Sequence, residues 1–232
     1  MNLPWFLHTR EKYPKNEFYV VDLTKLSNVK ELARSLAFYV DIFGKQEGYT
    51  DTNEITYWLA QKNSCYKAIA IIKNGIIHGY FQFGYYPGLD LIVVDYYGLK
   101  NINGEIAKKL IEDFLNHYYP FKTIVGEVYD PVRMRLFQKY GFRKSVIEYF
   151  HPPMEIDSMT FTPSNLVIRT NLNLTDVNEA EIVECIYLKH YLVWYSIYGE
   201  YEIKFYNQIL NKKLEEMCDV RIRLLMDKIQ KL

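Results

Sequence analysis

Cysteine is scarce in this sequence, and the few cysteines are not arranged in pairs. The chain of 232 residues contains three, Cys65, Cys185 and Cys218, with no CxxC spacing among them. An odd number of scattered cysteines is not typical of a disulfide framework. The sequence therefore predicts a reducing, cytoplasmic environment.

An excess of charge of one sign is also lacking. Lys and Arg total 28, Asp and Glu total 28, and the formal net charge at pH 7 is zero. A chain with this balance has no general electrostatic attraction to nucleic acid or to an acidic membrane surface. Neither is an expected partner.

Long hydrophobic runs are absent as well. The longest apolar stretch, "KAIAIIKNGIIHGYF", is interrupted by Lys73, Asn74 and His78, so it is too short to span a membrane. The N-terminal "MNLPWFLHTREKYPK" has no basic segment leading into an apolar run, as a secretory signal has. We therefore expect a soluble protein without a membrane partner.

Several catalytic motifs are missing. The sequence has no Walker loop, no GxGxxG and no nucleophile elbow, which leaves nucleotide hydrolysis and dinucleotide redox chemistry without support. The histidines show no metal-ligand spacing, so no metal is expected and each is interpreted as structural. They are His8, His78, His117, His151 and His190.

What the sequence does contain is a regular succession of strands and helices. Their order, βαα-βββ-αβαβ-β, predicts an α/β (α+β) protein with a mixed sheet of six to seven strands flanked by helices. The predicted strands are 17–23, 66–73, 76–86, 89–99, 122–128, 142–150 and 165–172. The predicted helices are 27–44, 53–63, 103–119 and 131–140.

From about residue 175 the pattern changes to helix alone. We therefore predict a domain over 1–172 and a C-terminal helical extension over 173–232. Two interpretations of the apolar helical faces remain open: they pack on the sheet domain, or they form a homodimer or partner surface.

The segment "EVYDPVRMRLFQKYGFRK" (127–144) carries the clearest local signal. Glu127 lies at the end of a strand, Asp130 is suited to cap a helix, and Pro131 is suited to its first position. Gly141 supplies the left-handed residue that ends the helix before the next strand. The segment predicts a strand, a capped helix, a glycine stop and a strand.

This segment, together with the strand order, resembles the GNAT superfamily of acyl-CoA-dependent N-acyltransferases over about residues 15–172. Asp130 and Phe137 stand at the positions of the family's asparagine and tyrosine. Four further residues match the family motif: Leu136, Lys139, Gly141 and Phe142. The resemblance implies a mostly antiparallel sheet. It also implies direct transfer of an acetyl or other acyl group from acyl-CoA to an amine of a small molecule or peptide.

The resemblance also implies a cofactor site. With Leu110 and Ile111 placed on the family's paired aliphatic residues, the preceding turn corresponds to the cradle for the coenzyme A pyrophosphate. Backbone N–H groups and the helix dipole would hold that anion. The residues assigned to the cofactor are Tyr97, Leu99, Asn103, Gly104, Glu105, Ile106, Ala107, Asp130 and Phe137.

The family reaction needs a base and an acid. Glu127 and Asp95 are the candidate bases, because each is an acid in a strand otherwise rich in apolar residues; such a side chain faces either a cleft or solvent. Tyr140 is the candidate acid, one helical turn from Phe137, with a core aromatic as its alternative role. A rival hypothesis, a GNAT-fold binding or interaction module without catalysis, rests on the departures Ile102, Glu105 and Phe137.

Overall fold

The computed structural model describes residues 17–44, 50–61, 64–153, 158–172, 178–196 and 199–229. Side chains are described for all of these except Leu26 and residues 218–229. The N-terminal stretch in which no secretory signal is expected lies outside the described residues, as does the start of the predicted helical extension at residue 173.

The strands form one mixed sheet in the order β1-β2-β3-β4-β5-β8-β6, and β7 pairs with β8 off this path. β4 and β5 are parallel, whereas β1 with β2 and each of β5, β6 and β7 with β8 are antiparallel. This confirms the predicted sheet class. The strands are β1 (Tyr19–Asp22), β2 (Tyr66–Lys73), β3 (Ile76–Tyr86), β4 (Leu91–Leu99), β5 (Thr123–Val128), β6 (Arg143–Lys144), β7 (Tyr149–His151) and β8 (Thr162–Thr170).

The helices lie close to their predicted positions. In the C-terminal part, a π-helical segment over Ile186–Tyr191 separates α5 from α6. The α-helices are α1 (Val29–Phe43), α2 (Thr52–Ala60), α3 (Gly104–Tyr118), α4 (Pro131–Lys139), α5 (Glu179–Cys185), α6 (Leu192–Tyr195) and α7 (Glu200–Ile229).

Two predicted turns are confirmed by their backbone angles. Asn74 and Gly75, between β2 and β3, have φ values of 51° and 74°, as a two-residue hairpin turn of type I′ requires. Gly141, which follows the C-cap residue Tyr140 of α4, has φ of 84°, in the left-handed region that ends a helix. Both turns depend on residues that tolerate positive φ.

The single strand predicted over 142–150 is wrong, because it is divided into β6 and β7. Between them, the N–H of Val146 donates to the carboxylate of Glu179 at 2.9 Å. The N–H of Ile147 donates to the hydroxyl of Ser145 at 2.9 Å. These side-chain acceptors take the place of strand partners, so the ladder is interrupted.

The contacts of the chain divide it into two compact units. Unit 1 comprises Met1–Phe83 and Tyr96–Pro120. Its core lies between β1, β2, β3 and the helices α1 and α2, and Tyr39 is fully buried at its centre. The buried members are Val21, Leu23, Phe38, Tyr39, Phe43, Ile55, Leu59, Ala68, Ala70, Ile72 and Tyr80.

Unit 2 comprises Gly84–Asp95 and Phe121–Leu232. It joins the beginning of β4 and the strands β5 to β8 to the C-terminal helices. The hydroxyl of Tyr187 donates to the carbonyl of Phe150 at 2.5 Å, and the rings of Tyr195 and Tyr206 stack with centroids 3.7 Å apart. The C-terminal helices therefore share a core with the strands of unit 2.

Candidate active site

The parallel pairing of β4 with β5 ends where two acids follow. The pairing runs in register from Leu91 and Thr123 to Val94 and Gly126. Asp95 is the next residue of β4, and Glu127 is the next residue of β5. The fold therefore brings both predicted base candidates to the same end of the parallel pair, within unit 2.

Glu127 is held by several side chains, and its two oxygens differ in their contacts. Its side chain is only 10% exposed. Oε1 accepts hydrogen bonds from the hydroxyls of Tyr149 and Tyr191, each at 2.8 Å. Oε2 lies 3.5 Å from the Tyr129 hydroxyl and 3.6 Å from Nε2 of His151. Because these distances are long for hydrogen bonds, Oε2 is the oxygen better placed to accept another proton.

His151 connects to the same cluster through Tyr191. Its Nδ1 lies 2.6 Å from the carbonyl oxygen of Pro152, and its Nε2 lies 2.9 Å from the Tyr191 hydroxyl. A carbonyl oxygen only accepts, so Nδ1 carries a proton. Nε2 is consequently the ring nitrogen that faces Tyr191 and Glu127.

Both tyrosines that bind Glu127 stay protonated at neutral pH. Burial raises the pKa of Tyr149 and of Tyr191 well above the usual value, and the nearby charge of Glu127 raises both further. Each hydroxyl therefore acts as a donor to the carboxylate and not as a phenolate.

Asp95 has a different environment. Its Oδ1 lies 2.6 Å from Nε2 of His190, and Nδ1 of His190 lies 2.7 Å from the Tyr86 hydroxyl. The side chain of His190 is 1% exposed and that of Asp95 is 8% exposed. Both nitrogens of a buried imidazole thus have partners, which makes Asp95 the group that orients His190 and the weaker candidate for a base.

The π-helical segment sets the positions of His190 and Tyr191, the residues that contact the two candidate bases. The N–H of Leu192 donates to the carbonyl of Tyr187, five residues earlier. Such a turn accommodates one extra residue and is frequent at functional sites. Within it, His190 contacts Asp95 and the next residue, Tyr191, contacts Glu127.

The sequence did not predict these partners. The available signal was "KHY" (189–191), a polar group within the apolar stretch "ECIYLKHYLVWY" (184–195). A π turn cannot be derived from apolar periodicity, because one extra residue shifts the helical phase. The sequence favours a structural role for His151 and His190, and the structure places them beside the two candidate bases.

The fold of this chain is similar to that of proteins with solved structures. No family model and no curated protein matches the chain. A solved structure of a Bacteroides thetaiotaomicron protein assigned to the GNAT acetyltransferases is similar with a TM-score of 0.57 and 18% identity, covering 75% of this chain and 98% of that one. The chain has the fold of the GNAT superfamily. The ribosomal-protein-S18-alanine N-acetyltransferase from Escherichia coli is also similar, with a TM-score of 0.47 and 11% identity, covering 70% and 99%.

Within the GNAT fold, the predicted residues on α4 are placed as follows. Oδ1 of Asp130 accepts from the N–H groups of Val132 and Arg133 at 2.9 and 2.8 Å, so Asp130 caps the helix as predicted. Phe137 packs over Gly126, where an added Cβ would lie 3.7 Å from its ring, and contributes no hydroxyl. Tyr140, the candidate acid, is half-buried at the end of the helix.

The predicted pyrophosphate cradle lies in unit 1 at the start of α3. Oδ1 of Asn103 accepts from the N–H groups of Glu105 and Ile106 at 2.8 and 3.4 Å. The Asn103 carbonyl accepts from the N–H of Ala107 at 3.0 Å. The N–H groups of Glu105 and Ile106, in the first turn that begins at Gly104, are therefore bonded to an exposed side chain.

Tyr97 and Leu99 lie on the last part of β4, also in unit 1. Tyr97 is half-buried and meets Phe81 edge to face, with centroids 6.1 Å apart. Leu99 is half-buried and packs against Gly79, where an added Cβ would lie 3.0 Å from its Cδ2. Both side chains contribute to packing, so any contact with a ligand would come from their backbone or exposed parts.

The described part of the chain contains neither a metal-binding cluster nor a membrane-spanning helix. It contains no group of three or more His, Cys, Asp or Glu side chains arranged to hold a metal ion. Among the helices described, none is both long and apolar enough to cross a membrane.

Proposed function

We propose that the protein transfers an acetyl or other acyl group from acyl-CoA to an amine of a small molecule or peptide, with Glu127 as the general base. The observation that carries the proposal is the position of Glu127. It is a largely buried carboxylate at the end of the parallel β4–β5 pair, with Oε2 only weakly engaged. The similarity to the GNAT fold supports acyl transfer as the class of reaction.

The proposed reaction requires two things of the protein's own residues, removal of a proton and binding of the pyrophosphate. Acyl-CoA, as substrate, supplies the activated thioester. Oε2 of Glu127 takes a proton from the acceptor ammonium, which leaves the nitrogen lone pair free to attack the carbonyl carbon. In unit 1, the N–H groups of Glu105 and Ile106 are the proposed donors to the pyrophosphate, in place of Oδ1 of Asn103.

Ligand binding is the first test of this proposal. Coenzyme A or acetyl-CoA at about 100 times its dissociation constant should stabilise the fold by about 2.7 kcal/mol, because it binds the folded state alone. A thermal shift assay measures this. An unchanged melting temperature at millimolar ligand contradicts the proposal.

Turnover is the second stage. Glu127→Gln removes the proton acceptor and should lower kcat at neutral pH by roughly 10²- to 10⁴-fold while binding of coenzyme A persists. Glu148→Gln, an exposed glutamate near β7, is the matched control. The measurement is release of the free thiol of coenzyme A with a panel of amines. Equal rates for the two variants would remove Glu127 as the base.

The rival function is a GNAT-fold binding module without catalysis. It is favoured by the Asn103 contacts that occupy the first turn of α3 and by the missing hydroxyl at Phe137. Absence of a thermal shift with coenzyme A, together with absence of thiol release, selects this function.

A further inference from the structure

Glu127, Tyr191 and His151 form a continuous chain of polar contacts. Tyr191 stands in the middle, 2.8 Å from Oε1 of Glu127 and 2.9 Å from Nε2 of His151. Resting on the proposed function, we propose that these three residues act together as the base and form a proton relay: a proton taken by Glu127 passes through Tyr191 to His151. Tyr191 and His151 are positioning residues, because they act through Glu127.

With Glu127 ionised and His151 neutral, the three residues have one proton too few for their hydrogen bonds. Nδ1 of His151 has its own proton, which it donates to the Pro152 carbonyl. Tyr191 has a single hydroxyl proton but two neighbours at hydrogen-bond distance. When Glu127 is ionised and His151 is neutral, both neighbours are acceptors and only one can receive that proton. The cluster in this form has one contact between two lone pairs, so it lacks a proton.

One added proton satisfies every contact, and it can do so in two ways. With the proton on Nε2, His151 donates to Tyr191 and Tyr191 donates to Glu127. With the proton on Oε1, Glu127 donates to Tyr191 and Tyr191 donates to His151. The two forms differ only by a shift of two protons along the chain, and no atom has to move far.

The reaction step is balanced. An N–H bond of the acceptor ammonium breaks and an O–H bond forms at Oε2 of Glu127. A half-turn of the carboxyl group exchanges its two oxygens and brings this O–H group to Tyr191, which contacts the other oxygen at rest. The O–H bond on Glu127 then breaks as its proton replaces the hydroxyl proton of Tyr191, and the displaced proton forms the N–H bond on Nε2 of His151. The nitrogen lone pair stays on the amine, and the cluster changes from a net charge of −1 to zero. Glu127 is thereby ionised again after the proton has left the amine.

The side chains that surround the relay include several neutral hydrogen-bond donors. From β5, Tyr129 faces Oε2 of Glu127, and from β7 the Tyr149 hydroxyl donates to Oε1. From the π-helical segment, Tyr187 and His190 lie near Tyr149 and Tyr191, with ring centroids 6.0 and 5.3 Å apart. The high pKa values of Tyr149, Tyr187 and Tyr191 keep their hydroxyls protonated. His190 is held by Asp95.

A pH titration of His151 by nitrogen-15 NMR on the full chain tests the proposal without any substrate. His151→Gln identifies the signals. In the wild type, Nε2 should gain and lose the proton while Nδ1 keeps its proton throughout. Titration at Nδ1 instead overturns the proposal. This measurement needs no change at Tyr191.

The coupling of His151 to Glu127 gives a second measurement. Glu127→Gln should shift the Nε2 nitrogen-15 resonance of His151 at pH 7, because the anion that faces it through Tyr191 is lost. Glu148→Gln should leave it unchanged. In the Tyr191→Phe variant, the effect of Glu127→Gln should fall below half. A full effect there shows that the groups interact directly across 3.6 Å, and overturns the relay.

Kinetics separate failure of the relay from failure of the proposed function. If acyl transfer is observed, Tyr191→Phe and His151→Gln should lower kcat at least tenfold with the amine KM nearly unchanged, and should shift the pH profile. Coupling of His151 to Glu127 in the NMR measurement, without thiol release, supports the relay and rejects acyl transfer. Thiol release with unchanged kcat in both variants rejects the relay alone.

Discussion

At the scale of the residue, His190 packs directly on Gly84 and leaves no room for a side chain there. A Cβ added there would lie 2.7 Å from Nδ1 of His190 and 2.9 Å from Cε2 of Tyr86. His190 cannot retreat without losing its contact with Asp95 at 2.6 Å. The missing side chain of one residue therefore makes room for the buried imidazole.

We predict that Gly84→Ala lowers the free energy of unfolding by about 1–3 kcal/mol, because the added methyl group overfills a packed site. Gly88→Ala is the control, since an added Cβ there has nothing within 4 Å. That variant should stay within about 0.5 kcal/mol of the wild type. Urea denaturation measures both. Equal midpoints for the two variants would contradict the prediction.

The residues of the candidate site were predictable only in part. Asp95 and Glu127 were identified because a charged residue in an apolar strand is conspicuous in the sequence. Their partners were not, since Tyr149 and Tyr191 contact Glu127 across separations of 22 and 64 residues. Contacts of this kind depend on the tertiary fold and leave no local pattern.

At the scale of the element, Glu179 attaches the start of α5 to the connection between β6 and β7. Its carboxylate accepts from Arg143 and from the Ser145 hydroxyl, each at 2.5 Å, and from the N–H of Val146 at 2.9 Å. Burial alone would raise the pKa of Glu179, but these hydrogen bonds outweigh it and lower the pKa. The ionised form is therefore the one that holds α5 in place.

We predict that Glu179→Gln destabilises the protein by about 1–3 kcal/mol at pH 7. The wild-type carboxylate contributes fully above the usual glutamate pKa of about 4.3. Its contribution is lost as the pH falls through the lower pKa of the folded state. The difference between the two proteins should therefore shrink towards pH 3, as measured by urea unfolding at each pH.

Glu184→Gln is the control for this prediction, because Glu184 is an exposed residue of the same helix. It should track the wild type at every pH. A constant gap between wild type and Glu179→Gln from pH 7 to pH 3 would show that packing, and not ionisation, is what the substitution disturbs.

Elements bounded by strong local signals were predicted well. Asp130 and Gly141 bound α4 as expected, and Asn74-Gly75 joins β2 to β3. The strand predicted over 142–150 failed for a reason that no window of sequence contains. Its backbone donors bind Glu179, a side chain more than thirty residues away.

At the scale of the whole molecule, unit 2 spans the domain boundary predicted at residue 172. Tyr187 is fully buried, meets Tyr149 with centroids 6.0 Å apart, and lies against Phe161 at 6.2 Å. Ile186, Tyr206 and Leu210 are fully buried as well. The strands of unit 2 thus depend on the C-terminal helices for part of their core.

We predict that residues 1–172 alone do not unfold cooperatively in urea, with the full chain as the control. Each large apolar side chain removed from a core costs about 1.5–3 kcal/mol. Four of them amount to a loss comparable to the total stability of a typical domain, about 5–15 kcal/mol. A cooperative transition of residues 1–172 at the full-length midpoint would instead support a domain that folds alone.

The π-helical segment implies that the C-terminal part is more sensitive to length than to composition. In a helix, each residue turns the following side chains by about 100°. Loss of one residue between Glu179 and His190 would therefore point His190 and Tyr191 away from Asp95 and Glu127 without altering any side chain. Across natural variants of this chain, we expect substitutions in α5 to be tolerated far more often than deletions.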